Sequence, residues 1–227
     1  MHVFYLHGFV SSPRSTKAAW LAERLRPYGL ALHCPDFNDP DFETLTTTRM
    51  IAQVEEAVRQ LPPGRVTLIG SSLGGFVAWH AAARQRGAPS RTAHPIDRLV
   101  LLAPALDFGA NRRMGDLDEA GMARWRESGH TDIFHHAFGE RRRLGYDLYA
   151  DAAQYDSFAV AGGPPTLVFQ GRADEAVDPG MVERFAAGRA GVTLHLLDDG
   201  HQLHDSLETI WQELAGFLWL LGRQPRE

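Results

Sequence analysis

Short apolar runs alternate along this chain with segments of helical periodicity. The runs are too short for helices and are bounded by turn residues, and they predict six strands, at 3–6, 30–34, 66–69, 98–102, 166–170 and 192–196. Several are apolar throughout, as expected of strands that are covered on both faces. Because such strands alternate with helical patterns, the chain is predicted to have an α/β fold built on a parallel sheet.

Helical patterns fall at 15–26, 43–61, 73–86, 179–187 and 205–221. The last pattern is the clearest, because its apolar residues recur at helical spacing and make one stripe that suits a core-packing helix. The stripe consists of Leu207, Ile210, Trp211, Leu214, Phe217, Leu218 and Leu221.

One segment, from Pro104 to Pro164, interrupts the alternation. It predicts a helix at 116–127, two extended pieces around Gly139 and then another helix. It is far longer than the roughly two to six residues that usually connect α/β units, and an excursion of such length is usually functional. We therefore expect a single domain over residues 1–227, with an insertion at about 105–163 that serves as a cap or binding wall.

Composition narrows the function classes. The chain has 227 residues, one cysteine and a formal net charge of -5. No basic block is long enough for a nucleic-acid footprint, and the basic triplet at 141–143 is interpreted as a solvated turn. The N-terminal stretch MHVFYLHG has too few consecutive apolar residues for the core of a signal peptide or for a membrane span. The expected protein is cytoplasmic and binds neither nucleic acid nor the membrane interior.

The stretch RVTLIGSSLGGFVAWHAAA, residues 65–83, places two neighbouring serines between a predicted strand and a predicted helix. Only Ser72 has glycine both two residues before it and two residues after it, at Gly70 and Gly74, in the pattern G-x-S-x-G. In a nucleophile elbow, such glycines let the strand and helix pass closely while the serine is held in a sharp turn. The pattern therefore predicts Ser72, rather than Ser71, as a catalytic nucleophile.

A serine hydroxyl needs an imidazole to take its proton and a carboxylate to orient that imidazole. In chains with this elbow the order is serine, acid, histidine. Asp174 follows the fifth predicted strand, and His201 lies in the loop after the sixth. Both fall at the carboxyl edge of the sheet, where open α/β folds bind ligands. We predict a triad of Ser72, Asp174 and His201.

Other titratable residues nearby compete for these roles. His204 is the nearest rival base, and Asp107, at the end of the fourth strand, is an alternative acid. Asp178 is better explained as a helix N-cap because a proline follows it. Asp198 and Asp199 are interpreted as shaping the turn before the predicted base.

The developing oxyanion of acyl transfer needs preorganised donors. The backbone N–H of Leu73, directly after the nucleophile, is one predicted donor. The second is expected from the loop after the first strand, and we assign it to the N–H of Phe9. His7 and Gly8 are expected to shape that loop, and His7 equally fits a packed core histidine.

The insertion carries further aromatic and histidine residues. Its aromatic residues are candidates for a pocket lining or for a small core of their own: Trp125, Phe134, Phe138, Tyr146 and Tyr149. Its histidines follow no zinc-binding motif, so we expect no metal site at His130, His135 and His136.

Together these residues resemble the α/β-hydrolase superfamily. The motifs YLHGFVSSPRSTKA, IGSSLGGF, DEAVD and GH are similar in order and spacing to the small bacterial esterases of the YqiA type. The resemblance spans most of the chain and is weakest in the insertion, which is longer than in the smallest members. A looser likeness to mammalian serine hydrolases of acyl glucuronides and palmitoyl thioesters lies in GSSLGG and in the insertion.

The resemblance implies a trimmed α/β-hydrolase fold that begins at its first parallel strand. Six mainly parallel strands would stand in the order 2-1-3-4-5-6, with helices on both faces. Position by position, it implies Ser72, Asp174 and His201 as the triad, with Phe9 and Leu73 at the oxyanion hole.

The expected activity is hydrolysis of a small-molecule carboxylic ester or acyl thioester through an acyl-enzyme, without a cofactor or metal. One alternative is carbon–carbon bond hydrolysis with the same triad. Another is a non-catalytic ligand-binding member of the fold, although such proteins typically lack a triad residue and none is missing here. The acyl length, the choice between ester and thioester, and the oligomeric state stay open at this point.

Overall fold

The computed structural model of the chain describes residues 1–88, 92–110 and 117–220. The strands in these residues are β1 His2–Leu6, β2 Leu32–His33, β3 Val66–Ser71, β4 Ile96–Leu102, β5 His130–His135, β6 Glu140–Gly145, β7 Thr166–Gly171 and β8 Val192–Leu197. The helices are α1 Thr16–Leu25, α2 Thr47–Arg59, α3 Leu73–Gly87, α4 Glu119–Ser128, α5 Asp147–Ala152, α6 Pro179–Ala187 and α7 Leu207–Phe217. Each predicted element has a counterpart, while the predicted end positions 116 and 221 lie outside the described residues.

Six of the strands form one parallel sheet. Its order is β2-β1-β3-β4-β7-β8, and β5 and β6 form a separate antiparallel hairpin. The last two sheet strands are labelled β7 and β8 because the hairpin precedes them. With the hairpin set aside, the sheet strands stand in chain order 2-1-3-4-5-6, as the resemblance implied. The loops after β1, β3, β7 and β8 consequently meet at one edge of the sheet.

Helices cover the sheet on both faces. Alternate side chains of a strand point to opposite faces, so that in β1 Phe4 and Leu6 pack with α2, α3 and α6, whereas Val3 and Tyr5 pack with α1 and α7. This double coverage explains why the strands read as continuous apolar runs.

Several helix starts are set by capping side chains. Ser15 before α1, Thr46 before α2 and Asp118 before α4 each accept a backbone N–H of the first helical turn. Because Thr46 occupies the cap, the helix predicted at 43–61 begins only at Thr47.

The insertion, residues 105–163, lies between β4 and β7 and contains α4, the β5–β6 hairpin and α5. Its buried side chains include Trp125, Leu144 and Leu148, which belong to the same apolar cluster as the residues of α2 and α3. The indole N–H of Trp125 donates to the carbonyl of Leu144 at 3.1 Å and ties α4 to the hairpin. The insertion is therefore packed into one face of the sheet's core.

Candidate active site

Ser72 lies at the tip of the sharp turn between β3 and α3. Its φ of 52° and ψ of -117° place it in a region where residues other than glycine are rare. Its N–H donates to the carbonyl of Leu102 at 2.9 Å, and its carbonyl accepts the N–H of Gly75 at 2.9 Å. Strain of this kind persists at functional sites only where the surroundings hold it. The turn has the geometry that a nucleophile elbow requires.

The flanking glycines are required by close backbone contacts. A Cβ at Gly70 would stand 2.3 Å from the carbonyl oxygen of Gly74. A Cβ at Gly74 would stand 2.0 Å from the carbonyl oxygen of Leu6 in β1. Any side chain at either position would push α3 away from the sheet. The G-x-S-x-G pattern is thus a packing requirement of this turn.

Asp174 and His201 form a hydrogen-bonded pair on the loops after β7 and β8. The distance between Asp174 Oδ2 and His201 Nδ1 is 2.9 Å. The loops approach closely, since a Cβ at Gly171 would stand 2.4 Å from the carbonyl oxygen of Asp199. With the carboxylate accepting the Nδ1–H, Nε2 is left as the basic nitrogen of the imidazole.

The Asp174 carboxylate is buried and accepts four hydrogen bonds. Besides His201, Oδ2 accepts the Gln170 side-chain amide at 2.8 Å, and Oδ1 accepts the backbone N–H groups of Ala176 at 2.9 Å and Val177 at 2.8 Å. Burial acts to raise the pKa of Asp174, but the hydrogen bonds, with that from His201 the strongest, outweigh it. The pKa therefore lies below its ordinary value, and the group stays ionised at neutral pH.

One cleft of about 1420 Å³ brings together every predicted site residue. Its lining includes Phe9, Ser72, Leu73, Asp174 and His201. The Ser72 hydroxyl makes no hydrogen bond, to His201 or to any other side chain, among the described residues. Catalytic hydrogen bonds often tighten only when substrate is bound.

The two predicted oxyanion donors have different structural origins. Leu73 is the first residue of α3, so its N–H lies at the positive end of the helix and has no acceptor within it. Phe9 lies in the β1–α1 loop, residues 7–15. In the described part of the chain no hydrogen bond engages either N–H.

His7 orients the β1–α1 loop from the core. It is 2% exposed, its Nδ1–H donates to the carbonyl of Gly8 at 2.9 Å, and its Nε2 accepts the N–H of Phe37 at 3.0 Å. The C=O and N–H of a trans peptide point in opposite directions, so the bond to Gly8 also directs the N–H of Phe9. His7 is a core histidine that shapes the loop.

The rival residues lie on the cleft without joining the pair. Asp107 lines the cleft, and burial raises its pKa, but the carboxylate bonded to His201 is that of Asp174. His204 lines the cleft and is exposed. Asp178 caps α6 by accepting the N–H groups of its first turn.

The two aspartates before the predicted base differ in role. Asp199 accepts the N–H of Gly200 at 2.7 Å and that of Ser206 at 3.0 Å, so it shapes the turn. Asp198 is almost fully exposed and forms an ion pair with Arg172 at 3.3 Å.

Two residues that sequence reasoning missed support the pair. Gln170 donates to Asp174, and the only signal for it was a polar residue at the end of an apolar strand. Lys17 is buried, and its Nζ donates to the carbonyl of Gln202 at 2.7 Å, which fixes the loop that carries His201. Burial lowers the pKa of Lys17 to about 8, although nearby carboxylates act to raise it.

The aromatic residues of the insertion divide between cleft and core. Phe138 lines the cleft, whereas Trp125 is buried and packs against Tyr146 at 5.3 Å between ring centroids. Tyr149 packs against Tyr146 with the rings tilted and their centroids 5.7 Å apart, and Phe134 is exposed on the hairpin. Trp125, Tyr146 and Tyr149 therefore belong to the main apolar core rather than to a separate small one.

The described ranges hold neither a metal-binding cluster nor a membrane-spanning helix. No cluster of three or more histidine, cysteine or carboxylate side chains there is arranged to hold a metal ion. None of the helices described there is both long enough and apolar enough to cross a bilayer.

Comparison with known proteins adds a family and a fold. The profile of a family described as Uncharacterised protein family (UPF0227) matches residues 2–218, and no curated protein matches the chain. The structure is similar to that of Est1E from Butyrivibrio proteoclasticus with bound ferulic acid, with a TM-score of 0.78, 20% identity, and coverage of 96% of this chain and 88% of that one.

A second similar structure is the α/β hydrolase domain-containing protein 10 from mouse. Its TM-score is 0.77 at 18% identity, with coverage of 97% of this chain and 90% of that one. At such low sequence identities the structural similarity shows the fold alone, and the predicted α/β-hydrolase fold is confirmed.

Proposed function

The chain belongs to the uncharacterised protein family UPF0227, and from that membership and the geometry of the cleft we propose that it is a serine hydrolase of carboxylic esters or acyl thioesters. The observation that carries the proposal is the 2.9 Å bond between Asp174 and His201 on the same cleft as Ser72, whose φ is 52°. A strained serine and a carboxylate-oriented imidazole supply the nucleophile and the general base of acyl transfer.

In the first half of the reaction, Ser72 Oγ attacks the acyl carbonyl carbon while His201 Nε2 takes the hydroxyl proton. The carbonyl oxygen becomes an oxyanion that accepts the N–H groups of Leu73 and Phe9. Asp174 holds the imidazole in its tautomer and stabilises the imidazolium. The tetrahedral intermediate then collapses, and the alcohol or thiol leaves with the proton from His201.

In the second half, water attacks the acyl group on Ser72. His201 Nε2 accepts a proton from the water, and the same two amides stabilise the second oxyanion. Collapse returns the proton to Ser72 Oγ and releases the carboxylic acid. The balance is one ester or thioester and one water converted into an acid and an alcohol or thiol.

We further propose that the insertion, residues 105–163, acts as a cap within one domain. Phe138, Ala137 and His136 at the hairpin tip line the cleft on the side of Phe9. The cleft volume of about 1420 Å³ exceeds the roughly 300 to 1,000 Å³ of most small-ligand pockets, which suits a substrate with a sizeable acyl or alcohol part.

A fluorophosphonate probe tests the nucleophile directly, because it reacts with activated serines. The wild-type protein should gain the mass of one probe, and Ser72→Ala should not. Turnover of an aryl ester by Ser72→Ala should fall by about 10⁴-fold or more. The matched control is Ser71→Ala, which removes the neighbouring hydroxyl and should keep both labelling and turnover.

Two outcomes would overturn the proposal. One is a folded wild-type protein that neither reacts with the probe nor hydrolyses any ester of a chain-length series. The other is near-normal turnover in Ser72→Ala. Aryl esters compared with acyl thioesters of equal chain length then decide which leaving group the cleft accepts.

A further inference from the structure

The tip of the β5–β6 hairpin contacts the loop that carries the proposed oxyanion donor. The backbone N–H of Ala137 donates to the carbonyl of Val10 at 3.2 Å. Val10 directly follows Phe9 and has a φ of 49°, which is a genuine outlier for a β-branched residue. Such a conformation persists only where surrounding contacts fix it, and this hydrogen bond comes from the insertion.

A second link passes through two buried side chains. The amide nitrogen of Asn38 donates to the carbonyl of Ser11 at 3.0 Å and to the carboxylate of Asp36 at 2.7 Å. These bonds fix the amide orientation, so Asn38 Oδ1 is the acceptor toward the hairpin. It accepts from His135 Nε2 at 2.9 Å, and His135 is 0% exposed.

The tautomer of His135 follows from this network. Because Nε2 carries the donated proton, Nδ1 holds a lone pair, and Nδ1 is buried without a hydrogen-bond partner among the described residues. Burial first, then the charge of Arg142, lowers the pKa of His135 to about 4. The ring therefore remains a neutral donor throughout the neutral pH range.

Ring packing provides a third link. Phe9 packs against Phe42 at 5.7 Å between ring centroids, and Phe42 meets His135 edge-on at 4.7 Å. The ring of Phe42 thus connects the side chain of Phe9 to that of His135.

We propose that His135 and the Ala137 amide position the N–H of Phe9, so that the insertion helps to build the oxyanion hole as well as a wall of the cleft. This inference rests on the proposed function. His135 is a positioning residue, since it acts through Asn38, Phe42 and the β1–α1 loop. Its contribution should appear in the transition state and be nearly absent from ground-state binding.

The test is His135→Leu, which keeps an apolar side chain but removes the proton donated to Asn38. We expect kcat for an aryl ester to fall on the order of 10- to 100-fold, with KM within about twofold, because a small misplacement of a catalytic group carries losses of this size. Inhibition by a trifluoromethyl ketone, whose adduct places an oxyanion in the hole, should weaken by the same factor. His135→Gln, which can again donate to Asn38, should recover most of the loss.

The matched control is Phe134→Ala, which changes an exposed residue of the same hairpin and should leave kcat unchanged. Should His135→Leu fail to fold, Ala137→Pro removes the N–H donated to Val10 at an exposed position and is held to the same expectation. The inference is overturned by unchanged kcat in a folded variant, by a loss confined to KM, or by an equal loss in Phe134→Ala. In all three cases wild-type turnover and its dependence on Ser72 would still stand, so the two proposals fail separately.

Discussion

Asp174→Asn gives the sharpest test of the proposed triad, because the structure predicts which way the new side chain will turn. The amide oxygen can stay on the N–H groups of Ala176 and Val177, which bond Oδ1 at 2.9 and 2.8 Å in the wild type. The opposite orientation would point the new NH₂ group at those two N–H donors, so that the NH₂ group and both backbone N–H groups would lack an acceptor. The first orientation is therefore expected.

In that orientation the NH₂ faces Gln170 and His201. Gln170 adapts by turning its amide, because its Oε1 is buried without a partner among the described residues and can accept the new hydrogen bond. His201 adapts by accepting at Nδ1, which moves its proton to Nε2. That nitrogen is the one proposed to take the proton of Ser72.

The expected loss in kcat is about 10⁴-fold, the scale seen when a triad imidazole is held in the wrong tautomer. At about 1.36 kcal/mol per decade this corresponds to roughly 5.4 kcal/mol of activation free energy. Because the buried polar groups are again paired, the fold should be retained, with a stability loss of about 1 to 3 kcal/mol from the missing charge.

The assay is steady-state hydrolysis of an aryl ester, with circular dichroism and urea unfolding as measures of folding. Asp107→Asn, the same chemical change at the rival acid, should keep kcat within severalfold of the wild type. The reasoning fails if Asp174→Asn retains a tenth or more of wild-type kcat, or if Asp107→Asn suffers the larger loss.

Three further outcomes follow from the contacts. Gly74→Ala should abolish soluble folded protein, because its Cβ would stand 2.0 Å from the Leu6 carbonyl oxygen. The control Gly87→Ala meets no atom within 4 Å and should keep the melting temperature within a few degrees, so equal melting curves for the two variants would contradict this. The pKa of Lys17 is lowered from 10.5 to about 8, so the unfolded chain binds more protons than the folded one between these pH values. The free energy of unfolding of the wild type should therefore rise with pH relative to that of Lys17→Met. A difference between the two free energies that does not change with pH in urea titrations would contradict this. Asp178→Ala should lose about 1 kcal/mol of stability, because the N-cap of α6 is lost. Asp178→Asn can still cap the helix and should lose little in the same titrations, so an equal loss in both variants would refute the capping role.

The parts of the site that depend on local backbone geometry were readable from sequence. The turn at Ser72 requires glycine at Gly70 and Gly74, because a side chain at either position would collide with neighbouring backbone. The meeting of Asp174 and His201 could be predicted because parallel strands bring their following loops to one edge, while their catalytic roles stay a prediction. The parallel α/β sheet followed from the alternation of buried strands and helices, and the resemblance in the motifs implied the α/β-hydrolase form of it.

Other parts depend on contacts between distant segments and left little trace in the sequence. The edge strand β2 is shorter than its apolar run, because it pairs with β1 through only Val3↔Leu32 and Phe4↔His33. Lys17 resembles any surface lysine of an amphipathic helix until its bond to Gln202, far along the chain, is seen. The helix and extended pieces of the insertion were predicted, but its packing into the core was not.

That packing has a consequence for how substrate arrives. A rigid swing of the insertion away from the sheet would cost free energy, because Trp125 and Leu148 would leave the apolar cluster they share with α2 and α3 and become exposed to water. A substrate of the proposed enzyme would then enter through the open side of the cleft, where the exposed residues His204 and Phe138 lie. Catalysis on this scaffold would then need no unveiling step, and its rate would follow the concentration of dissolved ester without a jump when the ester aggregates into micelles.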